Sequence, residues 1–134
     1  METKYDYKKL NIYIESKLLV KMVYALLKKF PKEEQYALCD QLRRAVISVP
    51  SNISEGFGRF SSKEQVHFFE IAYGSLREVD CQMDIACDLE YIALSEYSEI
   101  EKQVQKVSAI LSGIRNKRLK NQQDNPLSSN PLTH

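Results

Sequence analysis

Residues able to do chemistry are sparse in this chain. Glu64-Gln65-Val66-His67 has the Glu-x-x-His spacing with which one helix of a di-iron bundle ligates metal. Such a centre needs two of these motifs and two further carboxylates. The other histidine, His134, lies in the last residues of the sequence, so His67 reads as a lone surface imidazole. No motif places a histidine beside a serine as its base, and Gly56-x-Gly58 lacks the Gly-Lys-Ser/Thr of a phosphate-cradling loop. Glu70, Glu78, Asp80, Asp84 and Asp88 read as a solvated face. Cys39, Cys81 and Cys87 sit in apolar segments without metal-ligand spacing, as buried, reduced thiols of a cytoplasmic protein would. No enzyme, metal, cofactor or small-molecule substrate is expected.

The elements that must position the remaining polar residues come from a chain of 134 residues, one domain's worth. It is 43% apolar and 28% charged, the balance of a globular protein. No apolar run approaches the roughly 20 residues needed to cross a bilayer, and the first residues carry no hydrophobic secretory core. Net charge is +1 but unevenly spread: residues 1–30 hold seven lysines and three acids, and residues 63–92 hold two bases and seven acids. A near-neutral total argues against a dedicated nucleic-acid binder, yet leaves room for one basic and one acidic face.

Four glycines and four prolines require long regular elements, and the apolar period is helical. Leu19, Val23, Leu26 and Phe30 mark a first helix that Pro31 ends near Phe30, because proline disfavours the helical conformation in the residue before it. Lys32-Glu33-Glu34 supplies acids suited to the first turn of a second helix. Its stripe, Leu38, Leu42, Ala45, Val49, Ile53 and Phe57, stays in phase across Pro50. That favours one helix kinked at Pro50 over two helices and a turn. Ser61 with Glu64, or Ser62 with Gln65, has capping-box spacing. A third helix over about 63–90 shows two apolar stripes, one through Val66, Phe69, Tyr73, Leu76, Val79, Met83 and Ala86, the other through Phe68, Ile71, Ile85, Leu89 and Ile92. A helix apolar on two sides is buried on two sides, and in so small a domain the second side suggests another subunit. Ser95 is placed to cap a fourth helix, whose Ile100, Val104, Val107, Leu111 and Ile114 form a bundle seam. The reading is all-α: an up-down-up-down four-helix bundle over 1–120, with a disordered tail over 121–134.

The stretch from Arg43-Arg44-Ala45-Val46-Ile47-Ser48-Val49-Pro50 through Ser51-Asn52-Ile53-Ser54-Glu55-Gly56-Phe57-Gly58-Arg59 resembles a known family. It is similar to the four-helix-bundle proteins encoded in intervening sequences of bacterial 23S rRNA genes, often labelled as a ribosomal protein. Ile71-Ala72-Tyr73-Gly74-Ser75-Leu76-Arg77-Glu78 and Tyr24 with Phe30-Pro31 match as well, so the likeness covers about residues 8–118. It implies a bacterial bundle that assembles as a ring, a homopentamer. The accessory proteins of diversity-generating retroelements, which pair with a reverse transcriptase and bind nucleic acid, look like distant relatives. The near-neutral charge of this chain departs from that branch.

Taken by themselves, Arg43, Arg44, Asn52, Glu55 and Arg59 have two readings. They form a polar partner site, or they set the kink and the turn into the third helix. Asn52 or Ser48 could satisfy backbone groups freed by Pro50, and Glu55 stands four residues before Arg59, at ion-pair spacing. Gly74 and Ser75, with Glu78 a turn later, would let another helix approach closely. Lys17, Lys21, Lys28, Lys102, Lys106, Arg115, Lys117, Arg118 and Lys120 could share one side of the first and fourth helices and contact nucleic acid through phosphates. The expected function is a non-enzymatic, homo-oligomeric scaffold or adaptor. The alternative is an RNA- or DNA-binding accessory protein, alone or with a nucleic-acid enzyme.

Overall fold

The computed structural model describes residues 6–124, and over these the chain is four helices and two short 3-10 turns, without a strand. Helix α1 spans Asn11–Leu27, α2 Leu38–Phe57, α3 Ser62–Asp88 and α4 Leu94–Asp124. Each helix packs on the next in the chain, and α1 also packs on α4. Cross-helix pairs descend along one helix as they climb the other: Gln41–Gln82 and Ser48–Ser75 join α2 to α3, while Arg118–Gln65, Arg115–Glu70 and Tyr97–Asp80 join α4 to α3.

The stripes meet in one core. Leu19 and Val23 of α1, Leu42, Val49 and Ile53 of α2, Phe69, Leu76, Val79 and Met83 of α3, and Ile100, Val107 and Leu111 of α4 are all buried. Removing such side chains from water, at roughly 1.5–3 kcal/mol each, is the main force holding the helices together. Helix α2 runs unbroken through a buried Pro50, as its in-phase stripe requires.

The boundaries differ in instructive ways. Helix α1 closes at Leu27, three residues before Phe30, where Lys29 and Phe30 N–H groups bond the third carbonyl back in a tightened last turn. Lys32–Glu34 forms a separate 3-10 turn, and α2 starts only at Leu38, because Ala37 (φ −122°, ψ −98°) breaks the helical path. Ser61 does cap α3, accepting the Glu64 N–H at 3.1 Å. Gln65 does not pair with Ser62 but reaches back to the Arg59 carbonyl at 2.8 Å. Ser95 is not the cap of α4; it lies inside the first turn, and the Ala93 N–H just before the helix donates to Glu96 at 2.8 Å. That bond, with Lys29 beside it, holds the Glu96 carboxyl below its usual range. Residues 121–124, assigned from sequence to the tail, continue α4 to Asp124. The rest of that tail lies outside the described residues.

The second stripe of α3 divides. Ile92 joins the core beyond the helix end and Phe68 is half-buried, but Ile71, Ile85 and Leu89 are exposed at 39%, 44% and 50%. Of the three cysteines only Cys39 is buried. Cys81 is exposed, because its position turns it to the side of α3 away from α2 and α4. Asp80 also departs from its expectation: it accepts the Tyr97 hydroxyl at 2.7 Å and belongs to the α3–α4 contact. Burial, with Asp80 as acceptor, pushes the Tyr97 phenol well above its usual range.

Candidate functional site

The Arg43-to-Arg59 motif turns out to be three local structures rather than one site. At its start, Arg43 donates to Asp40 at 2.7 Å, to the Gln35 side chain at 2.9 Å and to the Gln35 carbonyl at 3.1 Å. It thereby ties α2 to the link that precedes it. Arg44, one residue on, is exposed and lines a groove between α2 and α3 with Gln41, Ser48, Ser75 and Glu78.

At the centre, Asn52 Nδ2 donates to both the carbonyl and the hydroxyl of Ser48 at 2.9 Å. Ser75 of α3 donates to the same hydroxyl at 2.8 Å. Pro50 lacks the N–H that would meet the Val46 carbonyl, so Asn52 does not replace the lost bond. It reinforces the next-but-one carbonyl and positions Ser48 for the contact with α3. Small Ser48 and buried Ser75 are where α2 and α3 come close. Gly74 is not part of that approach, since a β-carbon there would meet nothing within 4 Å.

At its end, Glu55 pairs with Arg59, whose guanidinium lies 4.7 Å from the centre of the Phe68 ring. The Gln65 side chain joins the Arg59 carbonyl to Arg118 of α4, which donates to it at 2.8 Å. Arg118 covers the Phe57 and Phe69 rings at 5.4 and 5.8 Å. Burial among them lowers its pKa from the usual arginine range. This is a cation seated on a desolvated aromatic pair, a structural latch between the ends of α2, α3 and α4.

The basic residues assigned to one side of α1 and α4 do not gather there. Lys106 pairs with Glu15 at 3.3 Å, Lys102 with Glu99 at 3.3 Å, and Arg115 with Glu70 at 3.4 Å while lying over Tyr73. Lys17 and Lys21 face α2 instead, lining a groove of about 410 Å³ with Tyr13, Val20, Ile47 and Pro50. Lys117 and Lys120 remain exposed near the end of α4.

Gln103 was not singled out from sequence, and it anchors the α1–α4 contact. It is buried on α4 and donates at 2.9 Å to both the carbonyl and the carboxylate of Glu15. Its bond, chiefly, holds the Glu15 carboxyl below the usual range, with Lys106 adding to the effect. A glutamine inside the apolar seam beside Val104 was the available signal. Tyr73 of the α3 stripe, bonded to Ser108 and Ser112, and Tyr91 past the end of α3, bonded to Glu34 at 2.8 Å, are half-buried tyrosines whose hydroxyls find a polar partner.

His67 is exposed, with its ring against the edge of Phe68. Among the described residues, no three His, Cys, Asp or Glu side chains come together as a metal site, and no helix is long and apolar enough to cross a membrane. What stands out is surface: an exposed face on α3, a basic groove beside α1 and an internally latched motif.

Fold and motif define a small all-α protein of the four-helix type. The chain belongs to the 23S rRNA-intervening sequence protein family, whose profile matches residues 8–113. Among solved structures it is similar to a protein with unknown function from the S23 ribosomal protein family of Bacteroides thetaiotaomicron. The TM-score is 0.72 at 19% identity, over 78% of this chain and 97% of that one, a likeness of fold. No curated protein matches the chain.

Proposed function

We propose that the protein is a non-enzymatic, homo-oligomeric scaffold or adaptor, assembled as the ring of five that the family resemblance implies. The observation that carries this reading is the outer face of α3. Ile71, Ile85 and Leu89 are exposed there, and Gly74 between them opens onto empty space. Packing among the described residues leaves this face uncovered, and a second copy would bury it. Light scattering after size exclusion is the test: a multiple of the 15.5 kDa chain mass is expected, and a clean monomer at micromolar concentration removes the reading.

RNA or DNA binding is the second reading. In its favour, α1 and α4 do adjoin. Against it, Glu15, Glu70 and Glu99 already neutralise Lys106, Arg115 and Lys102. On α4 it therefore rests on Lys117 and Lys120, while Lys17 and Lys21 stand apart beside α2. Binding to structured RNA at rising salt, with Lys117→Glu/Lys120→Glu as the comparison, tests it. Equal affinity of both proteins ends this reading.

A further inference from the structure

We infer that the outer face of α1 in one copy docks against the outer face of α3 in the next, a head-to-tail contact between two different surfaces. This rests on the homo-oligomer proposed above and states how its copies meet. Helices α1 and α3 both pack on α2 and α4, so they occupy opposite corners of the bundle and their outer faces look away from each other. Two distinct surfaces on opposite sides give a heterologous contact, which generates a closed ring when its rotation closes.

The two faces are complementary in three respects. In charge, Lys17 and Lys21 are exposed on the α2 side of the outer face of α1, with Lys28 just past its end, and Glu78, Asp84 and Asp88 are exposed on α3. None of these six takes part in an ion pair among the described residues. Lys102 and Lys106 of α4 already have carboxylate partners, and on α3 the exposed Arg77 offsets part of the acidity, leaving that face net negative. In apolar content, Leu10 just before α1 and Ile14 and Leu18 on it are exposed at 39%, 49% and 43%, and answer Ile71 and Ile85 on α3 and Leu89 at its end. In length, the 17 residues of α1 rise about 25 Å at helical pitch and fit along the longer α3 of 27 residues. Gly74, with no atom within 4 Å of an added β-carbon, leaves room for the incoming helix backbone. An α1–α1 contact would oppose lysine to lysine and an α3–α3 contact acid to acid, so charge disfavours the symmetric alternatives.

Charge reversal tests the pairing. Lys17→Glu/Lys21→Glu, Glu78→Lys/Asp84→Lys and the chain carrying all four changes are compared with the wild type by sedimentation equilibrium. Circular dichroism confirms that each is folded. Each single-face variant is expected to raise the concentration of half-assembly by about 100-fold, roughly tenfold per reversed charge, and the four-change chain to recover most of that loss. The wild-type assembly weakens as salt rises. A multimeric wild type whose mass the α1 reversals leave unchanged overturns the docking and spares the oligomer. Loss from both single-face variants without recovery in the combined chain means the faces do not meet, and also overturns it. A monomeric wild type removes both proposals at once.

Discussion

Gly56 lies against the ring of Phe69 so closely that a β-carbon at Gly56 would stand 2.5 Å from the Phe69 Cε1 atom. Both residues are buried, and Phe69 also carries the Phe57 ring and the Arg118 guanidinium on its flanks. The glycine is thus required by the approach of the last turn of α2 to the first turns of α3. Gly56→Ala is expected to cost about 2–3 kcal/mol, because a core aromatic ring must move to admit the methyl group. At Gly58 the nearest atom would be 3.5 Å away, an ordinary contact, so Gly58→Ala changes stability by under about 1 kcal/mol. Urea titration of both variants separates the two positions.

The latch on that ring makes a second prediction. Arg118→Ala is expected to lose about 1–2 kcal/mol of stability, since it removes a hydrogen bond to Gln65 and the cation over two aromatic faces. Lys120→Ala, on an exposed stretch of the same helix, stays within about 0.5 kcal/mol. Equal unfolding midpoints for the two variants would show that the latch contributes nothing.

Acid should loosen the α1–α4 contact. Gln103 lowers the Glu15 pKa in the folded state, so the unfolded chain binds that proton more tightly. The resulting stabilisation is fully present above the ordinary glutamate range, near ~4.3, and is lost as pH falls through the depressed folded value. Gln103→Leu removes the largest cause of the shift. The variant should show a smaller drop in urea midpoint between about pH 6 and about pH 3 than the wild type does.

Glu90 is the non-glycine residue of left-handed conformation among those described, with φ 65°, just past the end of α3. The Tyr91 N–H bonds the Ala86 carbonyl at 2.9 Å, closing the helix in the manner that favours glycine at the Glu90 position. Glu90→Gly is therefore expected to raise stability by about 1 kcal/mol in thermal or urea unfolding.

Gly74 separates folding from assembly. In the isolated chain, Gly74→Ala meets no neighbour and improves helix propensity, so stability rises by up to about 1 kcal/mol at dilute concentration. Gly74→Trp has the same open space within the chain, and on the docking proposed above it lowers the mass seen by light scattering. A variant that folds well and assembles as fully as the wild type would place the contact elsewhere.

The helices and their inner faces were legible in the sequence, because burial on one side imposes a period that survives in a single chain. Leu42, Val49 and Ile53 on α2, and Phe69, Leu76, Val79 and Met83 on α3, are where that period put them. It carried α2 through Pro50, since the phase of a stripe is unaffected by one missing hydrogen bond. The family, too, could be read from the Arg43-to-Arg59 motif. The Ser61 cap and the Glu55–Arg59 pair were legible as local spacings, but only the tertiary structure decided what the polar residues without a near neighbour in sequence do. Arg118, grouped from sequence with phosphate-binding cations, is a latch over Phe57 and Phe69, and Lys17 and Lys21 face α2 rather than α4. Gln103 and Glu15 are 88 residues apart, and no local pattern announces their bond. The reason is physical: apolar burial is summed over many residues and writes a period into the sequence, whereas a charge or amide acts through one partner within a few ångströms, and the fold alone supplies that partner.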